Sequence, residues 1–271
     1  MRRKCALTKR LRRIHNAWQF WFESALVFTA QWFRFGGRVV HPLTRRYAFG
    51  GNMWKIQELK NHLDLLGEQP EHYIEYLDSV ARVIDIFEFH KAEAFSVFSK
   101  LDSDEPEMAL RLVFSLGSEK AELESEVISA QAHLHAALQN VRSMYDILAQ
   151  LLNALLVHEP IAIHLCDICR VCEALPDGNV RTELEKILAS FEYQYVNSFV
   201  NTIKHRNLVQ FNRQLDLREG RASIRIKPFS YSGNFYEQKW AIDVLKYGLD
   251  VKNQLIEVGR LLNSECGVRN A

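Results

Sequence analysis

The sequence predicts an all-α protein, a bundle of long helices with a small β-hairpin inserted before the last one. Two stretches, Tyr73 to about Ser99 and residues 119–157, keep apolar residues three and four apart for many turns. Short turn-forming segments join the helical stretches, as antiparallel packing in a bundle requires. Between residues 211 and 226 the helical period stops and apolar residues alternate, which is the pattern of paired strands.

Each element follows from local signals. Trp54–Leu66 reads as a short helix, with Ile56, Leu59, Leu63 and Leu66 on one face and Gly67 as its stop. Pro70 suits the first turn of the long helix that follows, whose stripe is Ile74, Leu77, Ala81, Ile84 and Phe95. The stretch "LDSDEPE" turns the chain, and Pro106 opens a short helix to Leu116. Over residues 119–157 the apolar row is Leu123, Val127, Ala130, Leu134, Ala137, Val141, Leu148 and Leu155. Pro160 is expected to open a helix through Leu175, ended by the turn sequence "LPDGN". Thr182 and Glu185 have capping-box spacing, so a further helix is expected to start there and run to Lys204, with a bend. Phe211, Leu215 and Leu217, then Ile224 and Ile226, predict the hairpin. Ser232-Gly233-Asn234 breaks it, and Phe235–Asn263 reads as the last helix. The total is about seven helices.

The chain has 271 residues and a net charge of +1, which conceals a division. Residues 1–52 carry 11 Lys and Arg against one acid, a net +10, together with 10 of the 30 aromatics. The other 219 residues carry 23 bases and 32 acids, a net −9. An acidic body is a poor general receptor for nucleic acid, so any such contact there must be local. The basic segment is interrupted by Gln19, Glu23 and Gln31 and falls short of a membrane span. Its readings are a membrane-surface helix or a poorly ordered stretch outside the domain, which then covers 53–271. Five cysteines, three of them clustered, do not form a secreted disulfide framework, and a cytoplasmic setting is expected.

Several groups are candidates for chemistry. Cys166, Cys169 and Cys172 stand at i, i+3 and i+6, but apolar residues interleave with them and core packing is the simpler reading. His133 and His135 lie two apart on one helix, without the i, i+4 spacing of a metal pair. No metal or cofactor is expected. Arg142 and Asp146 are one turn apart, either as a surface ion pair or as a buried carboxylate with a basic partner. The densest polar cluster is "NTIKHR". On a helix it places Asn201, Lys204 and His205 on one face, with Arg206 at the end. Such a set serves metal-free work on a phosphodiester. His205 would move the proton between a ribose hydroxyl and the leaving oxygen, and Lys204 and Arg206 would hold the charge on phosphorus. Asn201 would orient the group, with Arg142 and Asp146 in support. The alternative is capping, since cations are favoured at a helix C-terminus and satisfy its last carbonyls.

The segments "HLHAALQNVRSMYDILAQLLN" and "SFVNTIKHRNLV", followed by a hairpin and a last helix ending in "IEVGRLLN", resemble the HEPN superfamily of helical bundles. The resemblance covers roughly residues 120–265 and is closest to a bacterial branch with an NxxKHR element. It implies a homodimer, and an endoribonuclease or RNA-binding protein of a defence or toxin–antitoxin system. The family's site is an Arg, then four to six intervening residues, then a His. His205 has no Arg at that distance before it, and the only Arg-x4-His here is Arg10 to His15. A non-catalytic helical interaction or scaffold protein, with a structural NTIKHR element, is the alternative function.

Overall fold

The computed structural model describes residues 54–66 and 70–268. The basic segment 1–52, with Arg10 and His15, lies outside the described residues, as does Met53. Among those described, eight α-helices and a small set of strands follow in order. The helices are α1 (Ile56–Leu66), α2 (Pro70–Leu101), α3 (Pro106–Phe114), α4 (Gly117–Leu155), α5 (Ile168–Ala174), α6 (Asn179–Ala189), α7 (Phe191–His205) and α8 (Ala241–Glu265). The strands β1 (Phe211–Asp216), β2 (Arg221–Ile226), β3 (Phe229–Tyr231), β4 (Asn234–Tyr236) and β5 (Lys239–Trp240) lie between α7 and α8. No helix among the described residues is long and apolar enough to cross a membrane.

The two long helices α2 and α4 run antiparallel as the main pair. Their sides are tied by His90 Nδ1 to His133 Nδ1 at 2.9 Å and by Lys100 Nζ to Glu126 Oε1 at 2.9 Å. Helix α8 packs against α2, α4, α6 and α7 and closes the core. Leu134, Leu138, Val141, Tyr145 and Leu148 of α4 meet Val244, Val251, Leu255 and Val258 of α8 there, all of them buried. Each such side chain contributes about 1.5–3 kcal/mol when removed from water. Tyr145 sits among them because its hydroxyl donates to the Val251 carbonyl at 2.9 Å. Glu88 of α2 and the buried Lys252 of α8 form an ion pair at 3.1 Å.

Strand β2 is central in an antiparallel sheet of order β1-β2-β5, with Phe211 opposite Ile226 and Asp216 opposite Arg221. On its other side Ala222 exchanges two backbone hydrogen bonds with Ser103, fastening the α2–α3 corner to the sheet. Strands β3 and β4 form a separate hairpin, turned by Ser232 (φ +49°) and Gly233 (φ +84°). Positive φ at both central residues is the two-residue turn that fits the twist of paired strands.

Several expected boundaries move. The helix expected from Pro160 is a 3₁₀ turn, Ile163–Leu165, and then α5, whose N-cap Asp167 accepts from Cys169 N and Arg170 N. Cys166 therefore precedes the helix that carries Cys169 and Cys172. Helix α6 begins at Asn179 and not at the Thr182–Glu185 box, and Glu265 of α8 accepts its Val180 N–H at 3.0 Å. The expected bend before Lys204 is a full break at Ser190, which caps α7 by accepting from Tyr193 N. The last helix starts at Ala241, because Phe235–Trp240 is spent on strands.

Candidate functional site

The six residues Asn201–Arg206 end α7 as expected, but their side chains diverge. Asn201 turns toward the bundle. Its Nδ2 donates to Asn197 Oδ1 at 3.2 Å, and the same oxygen accepts from Arg142 Nε at 2.9 Å. Arg142 is also bonded to Asp146 one turn away. The result is a polar seam, Asp146–Arg142–Asn197–Asn201, joining α4 to α7. The Asp146 side chain is 46% exposed, so this is the surface ion pair of the two alternatives. Asn197, which joins the two halves, was not singled out in the sequence. Its signal was its place one turn before Asn201.

Arg206 turns the other way, past the helix end. Its backbone N–H donates to Thr202 O at 2.9 Å, closing the last turn. Its Nη1 donates to Ser230 O at 3.1 Å, and its guanidinium lies over the Tyr231 ring at 4.9 Å. These contacts tie α7 to the β3–β4 hairpin. The side chains of Lys204 and His205 are exposed and have no hydrogen-bond or ion-pair partner among the described residues. The predicted constellation is thus divided: Asn201 is joined to Arg142 and Asp146, Arg206 to the hairpin, and Lys204 and His205 to neither.

Chemically, His205 has no carboxylate or second histidine among the described residues to fix its tautomer or relay its proton. The preorganised geometry of general acid–base catalysis is not supplied by its neighbours. Two grooves lie against α3: one lined by residues that include Met108, Leu112 and Leu123, the other by Val113, Ile128 and Phe211. Neither is lined by Asn201, Lys204, His205 or Arg206.

Of the clustered cysteines, Cys172 is buried in the core, Cys166 is half-buried and Cys169 is exposed. Burial and then the Asp167 charge push the Cys166 and Cys169 thiols up, and burial does the same to Cys172. Thiols of raised pKa are poor nucleophiles. His133 pairs with His90, while His135 packs edge-on against Phe199 and Phe211. No group of three or more His, Cys, Asp or Glu among the described residues is placed to hold a metal ion. Comparison with protein-family models, with curated proteins and with solved structures finds no match for this chain.

Proposed function

We propose that the chain is a non-catalytic helical interaction protein in which Asn201–Arg206 belongs to the framework. The carrying observation is the division of the NTIKHR cluster. Asn201 and Arg206 bond to Asn197 and to the Ser230 carbonyl, which leaves His205 alone and exposed at a helix end. RNA cleavage measured in EDTA, with the wild type and His205→Ala, tests this. Neither protein is expected to cleave. Cleavage by the wild type that is lost in His205→Ala overturns the reading.

A second reading is RNA binding without cleavage, on the homodimer that the HEPN resemblance implies. The Arg206–Tyr231 stack beside exposed Lys204 and His205 favours it, because cations and aromatic faces together suit single strands. It predicts salt-dependent binding of a labelled single-stranded RNA, weakened by Lys204→Ala.

A further inference from the structure

We infer that the face formed by α3, the first turns of α4 and the start of β1 docks a basic amphipathic helix of another protein. This deepens the interaction reading above and rests on it. Helix α3 buries Ala109 and Leu112 against the body, yet it also presents Leu110 and Phe114, one turn apart, 53% and 66% exposed. Leu116 follows at 81%, and Ile128 of α4 is 65% exposed. The outward face of a surface helix ordinarily carries polar residues. Large apolar side chains gathered there and rimmed by charge mark a contact site.

The relief of this face suits a helix. One groove beside α3, of about 440 Å³, is lined by Val113, Val127, Ile128 and Phe211 together with Glu124 and Arg213. A second, of about 250 Å³, is lined by Met108, Leu112 and Leu123 together with Arg111, Glu119 and Glu122. Apolar side chains at i, i+3, i+4 and i+7 of an incoming helix can enter such grooves while its polar side remains in water.

Charge selects the occupant. Residues 102–126 hold eight acids and two bases. Asp102 is paired with Arg221, Glu119 with Arg111, Glu126 with Lys100, and Glu124 with Lys120 and Arg213. The carboxylates of Asp104, Glu105, Glu107 and Glu122 are exposed and have no hydrogen-bond or ion-pair partner among the described residues. Glu107 and Glu122 lie near Arg111, which Glu119 already holds. A second copy offering the same face would bring like charges together. RNA and anionic lipid would be repelled as well. A cationic helix gains attraction at every one of these carboxylates.

Two fluorescein-labelled peptides of about 18 residues, with Leu at helical spacing and either Lys or Glu at every polar position, test this against the full chain. Fluorescence anisotropy is expected to show binding of the Lys peptide alone. Leu110→Ser with Phe114→Ser, and separately Glu107→Lys with Glu122→Lys, are each expected to weaken it about tenfold or more. All four residues are exposed, so the melting temperatures should stay near that of the wild type. Absence of binding overturns the inference, as does binding that both double variants leave unchanged. A wild-type dimer dissociated by Phe114→Ser overturns it too, by making the second copy the occupant. RNA cleavage lost in His205→Ala sinks the underlying interaction reading instead, so the two failures are distinguishable.

Discussion

Trp54 meets the last helix at Gly259, where a Cβ would lie 2.1 Å from the indole ring. No rotamer adjustment of a buried indole absorbs that overlap. The ring is further fixed by its Nε1–H donating to Asn263 Oδ1 at 2.9 Å, while Asn263 Nδ2 donates to the Lys55 carbonyl at 3.1 Å. Gly259→Ala is therefore expected to cost about 1–3 kcal/mol by overpacking, seen as a lower urea midpoint. Asn263→Leu should cost about 1–3 kcal/mol by a different route, leaving the buried indole N–H without an acceptor. An unchanged midpoint in Gly259→Ala would show that α1 does not dock on α8 in this way. In the sequence, "IEVGRLLN" carried only a resemblance. Its Gly and Asn hold a tryptophan some two hundred residues away, and no spacing rule reports a contact at that separation.

At the scale of elements, the polar seam between α4 and α7 turns on one amide. Asn197 Oδ1 accepts from both Arg142 and Asn201, so Asn197→Ala removes two hydrogen bonds from a half-buried joint. A loss of about 1–2 kcal/mol in unfolding free energy is expected. Arg206→Ala, which removes one tie between α7 and the β3–β4 hairpin while Tyr236 keeps its hydrogen bonds to Ser198 and Gln194, should leave this seam intact. The double variant should then be additive within about 0.5 kcal/mol, and stronger coupling would contradict the division of the cluster. The long helices and the β1–β2 hairpin were legible because their apolar periods persist over many residues. The start of α8 was not, for a definite reason. Tyr236 and Trp240 are both buried and four apart, which continues the helical row of Val244 and Val251. Four is also twice the strand period, so the same two side chains serve β4 and β5. Ser190 was missed because the apolar row runs through it from α6 to α7, and only its side-chain cap on Tyr193 N–H marks the break. The site failed at a finer scale. Helical spacing places Asn201, Lys204 and His205 on one face, but the hairpin that draws Arg206 away and the Asn197 that draws Asn201 inward come from the tertiary fold.

For the molecule as a whole, the packing of α2 against α4 and α8 makes stability depend on pH in one direction. The hydrogen bond between His90 Nδ1 and His133 Nδ1 needs one ring to donate and the other to accept, so at least one must be neutral. Burial, and then the His133 charge, hold His90 below its ordinary value. Burial does the same to His135, whose Nε2 is enclosed without a partner among the described residues. For both rings the unfolded chain takes up protons first as pH falls. Their contribution is complete above about pH 6.5, the unfolded histidine value, and drains away through the lower folded values. Glu88 has the same sign lower on the scale. Burial alone would raise it, but the Lys91 hydrogen bond and the Lys252 charge outweigh burial and lower it. Its contribution is present above the ordinary carboxylate range and lost in acid. Urea unfolding from pH 8 downward should therefore give a plateau, a first decline beginning near pH 6.5, and a second below about pH 4.5. His90→Gln combined with His135→Phe should remove the first decline and leave the second, whereas Glu88→Gln should weaken only the second. A wild-type stability that is level from pH 7 to 5 would mean that the two rings are as free in the fold as in the unfolded chain. That is incompatible with one of them sharing a proton across the α2–α4 interface and the other being packed between Phe199 and Phe211.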